Sequence, residues 1–370
     1  MSQAVVEECV QSMPTPFLKE ISRKIREHKR LNEEEGLELL KLTNEEEIQA
    51  VGKLADWVRK EKVGDIVHFA STLYIHPTNL CELNCPFCSF YAKPGWEKAW
   101  FLTPEQIEQK IARFLPGELT EIHIVGGLWK ECDLPYYQDL FTRIKRLNPN
   151  YHIKALTAVE YDFLAKLHNI SVEEVFLRMM EWGLGSLPGG GAEVLDEEIR
   201  GKIAPGKITS DEFLNIHRIA HSLGLSSNIT MLFDHIETPQ HLINHISKVR
   251  ELQDITGGFK TFIPLKFGEE GNALGKRKNR LIKKNIPLVY AVSRLMLDNI
   301  KHIKVLWNYL GVDEALEILH WGGNDLSSTN QEEKIITMAG GVKIKMDEAT
   351  MNQLILSQNR IPKLLHTGEI

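Results

Sequence analysis

Residues 16–62 carry the helical period. Leu18, Ile21 and Ile25, then Leu37 and Leu40, recur three or four positions apart among many charges, the one-sided apolar stripe of an amphipathic helix. Asn32 precedes Glu33, Glu34 and Glu35, and Thr43 stands shortly before Glu45, Glu46 and Glu47. Each pairs an N-cap side chain with acids in the first turn, where the helix dipole favours them. A helical extension is therefore predicted over residues 1–62. From Gly64 the period shortens. Apolar or alternating runs predict strands at 67–75, 120–125, 152–158, 183–187, 226–232, 259–265, 302–307 and 317–321. Amphipathic stretches between them predict helices at Pro104–Phe114, Leu134–Leu147, Val172–Trp182, Ser210–Leu223, Pro239–Asp254 and Val289–Leu297.

Eight strands alternating with helices are the pattern of parallel β/α units, which must be covered on both faces. The simplest closure is an α/β fold of (β/α)8 TIM type. This barrel is expected over residues 63–330. Residues 331–370 are expected to be a helical segment packed on it, with one helix near Asp347–Ser357 and Pro362 beyond.

Composition narrows the function. The chain has 370 residues, 43% hydrophobic and 25% charged, with a net charge of −6, so no electrostatic footprint for nucleic acid or an anionic membrane is expected. The basic runs Lys276–Arg280 and Lys283-Lys284 read as solvated loop. No apolar stretch reaches the ~18–20 residues of a membrane span, and the N-terminus lacks an export signal. Five cysteines, three of them clustered, are not a disulfide framework. A cytoplasmic, reducing location is expected. Cys9 and Cys132 read as small buried apolar residues.

The clustered cysteines carry the sharpest chemistry. Cys81, Cys85 and Cys88 lie in His76-Pro-Thr-Asn-Leu-Cys-Glu-Leu-Asn-Cys-Pro-Phe-Cys, a C-x3-C-x2-C spacing with the aromatic Phe87 before the last thiol. Three thiolates from one loop can each hold one iron of a [4Fe–4S] cluster, where an electron-transfer cluster uses four. The fourth iron would keep an open position for a small molecule. A zinc knuckle is the competing use, but it wants a fourth Cys or His nearby. His76, His123 and Cys132 form no second half-site. The loop resembles that of the radical S-adenosylmethionine (SAM) enzymes.

The motifs fall where a barrel places its chemistry, at the carboxyl ends of strands. The cysteine loop follows the first strand. The second strand ends in Gly126-Gly127, where bare backbone can approach an amino-acid head group; in radical SAM enzymes this end binds the methionine amino group. The third runs into Thr157-Ala-Val-Glu160, and the fourth into Pro188-Gly-Gly-Gly-Ala-Glu193, with Arg200 beyond. Carboxylates there can accept from ribose hydroxyls, and a guanidinium can clamp a carboxylate. Glu193 reads equally as an acid favoured by a helix N-terminus. After the fifth strand, His235 and Glu237 could transfer protons or hold a polar substrate, although a capped loop into the Pro239 helix also accounts for Thr238.

Longer stretches resemble the aminofutalosine synthase family of the futalosine route to menaquinone. They are Cys81–Tyr91 with Lys93-Pro94-Gly95, Gly185–Leu195, Lys202–Lys207, His217–Thr238, Leu252–Leu265 and Ala291–Lys304. Two related families share many of them, cyclic dehypoxanthine futalosine synthase and the radical SAM half of the deazaflavin-forming synthase. Asp234 and Ile255 depart from the family pattern. The resemblance implies a cluster-bound SAM, consumed as co-substrate, whose 5′-deoxyadenosyl radical adds to 3-[(1-carboxyvinyl)oxy]benzoate. Aryl migration and loss of the carboxyl carbon then give 6-amino-6-deoxyfutalosine. It further implies an electron donor such as flavodoxin or ferredoxin. A mouth lined by Tyr91, Thr157, Asn228, Phe262 and Phe267 would exclude water, and Arg294, His235 and Lys266 are candidates for the substrate carboxylates.

Overall fold

A computed structural model describes residues 10–114, 117–277, 285–329, 331–344 and 346–366. Cys9 and most of the basic run 276–284 lie outside the described residues. Among the described residues ten strands form: β1 (Ile66–Ala70), β2 (Thr72–Ile75), β3 (Glu121–Ile124), β4 (His152–Ala155), β5 (Leu184–Leu187), β6 (Ser226–Phe233), β7 (Phe259–Lys266), β8 (His302–Ile303), β9 (Asp325–Ser328) and β10 (Ile361–Leu364). Seven of them, β2 to β8, lie in chain order in one parallel sheet. Connections through helices return each strand in the same direction, which is why the sheet is parallel.

β1 and β2 are one run of chain interrupted at Ser71, whose N–H donates to the Thr120 hydroxyl at 3.0 Å. The β1 half pairs instead with β9 and β10. A single bridge, Lys304 to Asp325, joins the end of β8 to β9. The ring therefore closes through β9, which meets β8 at this bridge, while a second isolated bridge, Leu73 to Gln331, joins the chain after β9 to β2. The expected (β/α)8 architecture holds, but its eighth strand is not at 317–321. Those residues lie in and after the helix Val312–Ile318, and β9 takes the place further on, at 325–328. Its sequence, Asp-Leu-Ser-Ser, is wholly buried yet mostly polar, so hydropathy hid it. The expected strand at 302–307 shortens to β8 because residues from Trp307 turn into a short helix. The one at 152–158 stops at Ala155 because Thr157 caps the helix Ala158–His168 in a capping box with Glu160.

Among the described residues, the N-terminal segment forms the helices Pro16–Arg26, Glu33–Leu40 and Glu45–Val63. Asn32 caps the second with Glu35 as predicted, whereas Asn44 rather than Thr43 caps the third. They pack beneath the helices Pro239–Thr256 and Ile286–Met296. Gly52 allows the approach, since a Cβ there would sit 2.6 Å from the Trp321 ring. The tail is not purely helical. The helix Glu348–Ser357 forms, but β10 then adds a parallel strand to β1.

Arg294 is fully buried and serves this closure, not a substrate. Its guanidinium donates to the carbonyls of Gly322 (2.9 Å) and Lys301 (3.0 Å) and to Asn324 Oδ1 (2.7 Å). Burial and the nearby Arg59 push its pKa down to about 9. Neither a substrate carboxylate nor Asp298 is its partner; Asp298 pairs with Arg30. Removing Arg294 orphans three acceptors near the β8–β9 seam. Arg294→Ala should cost roughly 3–5 kcal/mol of unfolding free energy, whereas Arg30→Ala, which breaks an exposed cluster, should cost under about 1 kcal/mol. Urea-denaturation midpoints compare the two, and equal shifts would contradict this assignment.

Candidate active site

The cysteine loop leaves the end of β2 and is tied down before any ligand is considered. Lys93 Nζ donates to the carbonyls of Cys81, Glu82 and Leu83 at 2.8, 2.8 and 3.2 Å. His76 Nδ1 donates to Val125 O at 2.9 Å, which leaves Nε2 to accept from the backbone N–H of Lys334 at 3.3 Å. One imidazole thus links the loop's start, the end of β3 and the C-terminal segment. Gly127 lies against the loop so closely that a Cβ would fall 2.1 Å from Leu80 O and 3.1 Å from Cys81 Cβ. The next residue, Leu128, donates its N–H to Cys81 Sγ at 3.4 Å.

Cys81, Cys85 and Cys88 all line one cavity of about 300 Å3 at the carboxyl ends of the strands. Phe87, Tyr91, Gly126 and Gly127 share that lining, as do Thr157, Glu160 and Glu193. Glu160 accepts from the Gly126 N–H (3.0 Å) and the Thr157 N–H (2.7 Å), so it fixes the glycine turn to the next strand. Burial raises its pKa to about 7, against the pull of those backbone donors. Glu193, at φ +48°, pairs with Lys207 at 2.5 Å. The Lys207 ammonium sits 5.2 Å from the centre of the Phe87 ring. Although burial opposes it, Glu193 holds this lysine charged.

The donor set fits a cluster. Burial pushes the Cys85 thiol up to about 11 and raises Cys88 as well. Such thiols become thiolates only with a metal to receive them. Among the described residues, no three His, Cys, Asp or Glu side chains converge closely enough to hold one metal ion. Cys132 is 3% exposed in the main apolar core and does not line this cavity.

Six expected residues are not brought there: Arg294, already described, Lys266, which does not line the cavity although its neighbours Leu265 and Phe267 do, and Arg200, His235, Glu237 and Phe262. Arg200 is buried and donates to the carbonyls of Gly191, Ala192 and Ile208, so it braces the triple-glycine turn instead of facing a ligand. His235 and Glu237 are buried beside one another, with Nδ1 to Oε2 3.2 Å. Glu237 accepts from the backbone N–H groups of Asp234 and His235 at 2.8 and 2.9 Å. Those bonds hold a turn in which Asp234 adopts φ +70°, and a carboxylate so occupied has no route to the cavity. Phe262 is likewise core, while Asn228 and Phe267 do line the cavity.

The sequence reading missed a polar floor. Tyr74 on β2, Glu121 and His123 on β3, Lys154 on β4 and Lys304 after β8 all face the same cavity. Alternation along the strands carried the signal, since positions 121 and 123 share a face. The C-terminal segment adds Glu333, Ile335, Ile336 and Ala339 to the wall.

A parallel β/α barrel that gathers three thiols and a glycine-bounded cavity at its strand ends is the architecture of a cluster-dependent SAM enzyme. The sequence matches the radical SAM superfamily over residues 75–249 and the CofH/MqnC C-terminal region over residues 256–367. It is 38% identical over 355 residues to aminodeoxyfutalosine synthase of Thermus thermophilus, covering 94% of each chain. It is 35% identical over 348 residues to 5-amino-6-(D-ribitylamino)uracil–L-tyrosine 4-hydroxyphenyl transferase 1 of Methanococcus maripaludis, covering 92% of this chain and 96% of that one. The fold is shared with methylornithine synthase, at a TM-score of 0.75 and 17% identity over 93% of this chain and 97% of the other. The chain belongs to the radical SAM superfamily, within the family that holds the aminodeoxyfutalosine synthases. It is a radical SAM enzyme, with a [4Fe–4S] cluster and SAM as its cofactors. Among the described residues no helix is long and apolar enough to cross a membrane.

The glycine geometry has a measurable consequence. Gly127→Ala would drive a Cβ into Leu80 O, whereas Gly190→Ala meets only Thr157 Cγ2 at 3.3 Å. Reconstituted Gly127→Ala should bind less iron and lose SAM turnover by about 100-fold, the size of effect an ångström of misplacement can have. Gly190→Ala should keep its iron and stay within a few-fold of wild type.

Proposed function

We propose that this enzyme makes 6-amino-6-deoxyfutalosine from SAM and 3-[(1-carboxyvinyl)oxy]benzoate. The observation that carries the reading is 38% identity, spread over 94% of the chain, to a protein named for that product. Cys81, Cys85 and Cys88 hold the cluster, and the turn at Gly126-Gly127 receives the methionine end of SAM. Thr157 and Glu193 edge the nucleoside side, with Phe87 and Tyr91 beside the thiols. When bound, the cluster and SAM supply an adenosyl radical that adds to the enol-ether double bond.

The chain's own residues supply what that chemistry needs: placement and exclusion of water. Glu160 keeps the Gly126 and Thr157 backbones in register, and Arg200 does the same for the Gly191–Ala192 carbonyls from outside the cavity. Leu232, Leu265 and Phe267 make the wall apolar where a reactive carbon centre would pass. Ile335, Ile336 and Ala339 cover it from the C-terminal side. A one-electron donor of flavodoxin or ferredoxin type and a cytoplasmic location complete the reading, consistent with thiols that need a reducing compartment.

Anaerobic turnover tests it. With SAM, a reductant and the enol ether, the adenosyl group should end in the product, leaving little free 5′-deoxyadenosine. Free 5′-deoxyadenosine as the main nucleoside, or turnover only with tyrosine and 5-amino-6-(D-ribitylamino)uracil, would refute it. Cys81→Ala, Cys85→Ala and Cys88→Ala should each lose the cluster and all turnover, while Cys132→Ala retains both. Iron content and visible absorbance are the readouts, and cluster loss in Cys132→Ala would refute three-thiolate ligation.

A further inference from the structure

The cavity runs from the thiols at the strand ends down to residues set deeper along the same strands. Register gives the depth. Thr72 pairs with Glu121, Tyr74 with His123, and His123 with Lys154, all before the glycine and cysteine turns that end β3 and β2. At this depth the lining carries a second set of charged groups besides Glu193 and Lys207. Lys154 and Glu121 form an ion pair in which both side chains are 5% exposed. Lys304 lies 3.4 Å from Asp325, which is itself almost fully buried.

The carboxylates there are occupied. Glu121 takes Lys154 on one oxygen, while the other lies 3.3 Å from the Thr72 hydroxyl and 3.7 Å from His123 Nδ1. Asp325 does not line the cavity and accepts from the Ser327 N–H at 2.8 Å. The amines are not used up. An ammonium has three N–H donors, and each lysine has one carboxylate partner. Both lysines line the cavity, where a donor left without an acceptor is costly. Beside them the Tyr74 and His123 rings stack 4.7 Å apart at 26°, and Ile263 stands on β7. This level of the cavity offers cationic donors together with ring faces and aliphatic carbon.

We propose that Lys154 and Lys304 form the subsite that receives the ring carboxylate of an aromatic acid, with the ring held beside Tyr74. This deepens the function proposed above and rests on it for the identity of the substrate. It places the benzoate end at the floor and leaves the enol ether at the strand ends, nearest the thiols. The two lysines set specificity; they take no part in bond making.

Equilibrium binding separates this from the reaction itself. The probe is 3-methoxybenzoate, an unreactive copy of the ring end, titrated calorimetrically into the reconstituted, SAM-loaded enzyme, with methoxybenzene as the carboxylate-free control. Wild type should bind the benzoate at least about 10-fold more tightly than the control, as loss of a charge-assisted bond implies. Lys304→Met combined with Asp325→Asn, and Lys154→Met combined with Glu121→Gln, so that no lone charge is buried, should each erase most of that preference. Their iron content and SAM affinity should stay at the wild-type level, which shows that the fold is intact. Equal preference in wild type and both variants, or none in wild type, overturns the subsite. If the preference is lost in the variants while the wild-type enzyme fails to convert the enol ether, the subsite stands and the proposed reaction falls.

Discussion

Irregular backbone beside a buried site must satisfy its own hydrogen bonds, and the loop carrying the three thiols meets that constraint almost entirely with its own residues. Cys81 N–H donates to Ala92 O at 3.1 Å, and Ala92 N–H to Asn79 O at 2.7 Å. Asn79 works in both directions, donating from Nδ2 to Lys98 O at 2.8 Å and accepting the Trp100 N–H at 2.9 Å. Glu82 N–H reaches Leu128 O at 2.9 Å and Gly127 N–H reaches Thr78 O at 2.9 Å. These last two bonds explain the bare backbone at Gly126-Gly127. The loop is fastened to the end of β3 main chain to main chain, and a side chain would hold the two apart. The thiols are thereby positioned by protein hydrogen bonds, independently of the metal they hold.

A second constraint acts inside the barrel. Charged groups cannot lie at this depth without partners, and the interior supplies them across strands: Lys154 on β4 to Glu121 on β3, and Lys304 after β8 to Asp325 on β9. The Lys304–Asp325 pair also spans the seam where a single bridge joins β8 to β9. Ligand floor and barrel closure therefore share residues. The same logic accounts for Arg294, whose guanidinium replaces missing ladder bonds near that seam with three donated ones.

What the sequence made legible follows from which forces leave a pattern. Strands β3 to β7 show as apolar or alternating runs because most of their side chains are buried, and the helix Leu134–Leu147 shows as a periodic stripe with Asp133 as its cap. The cysteine spacing is local, so it survives reading in one dimension. β9 left no such trace because Asp325, Ser327 and Ser328 are buried by polar partners elsewhere in the chain. His235 and Glu237 misled for the opposite reason. A histidine two residues from a glutamate after a strand looks like chemistry, but here the carboxylate caps two N–H groups of its own turn. Arg200 lies beside the expected site, and only the direction of its fork, toward carbonyls, shows that it braces the turn. The floor lysines were hidden by distance, since positions 154 and 304 meet only through the closed barrel.

The two sequence regions divide the cavity between them. Residues 75–249 carry the thiols, the glycine turns and Lys154, while residues 256–367 bring Lys304, Tyr309, Glu333 and the covering segment. His76 binds the halves together by accepting the Lys334 N–H, so the covering segment is registered to the loop that carries the cysteines. Burial lifts Glu333 to about 7 even though its carboxylate caps the helix beginning at Ile335. At neutral pH the cover thus adds less than a full negative charge to the cavity wall. A wall of that kind opposes an anionic ligand less than an ordinary carboxylate would. The lysines at the floor therefore meet less opposition from the cover in receiving an acidic occupant.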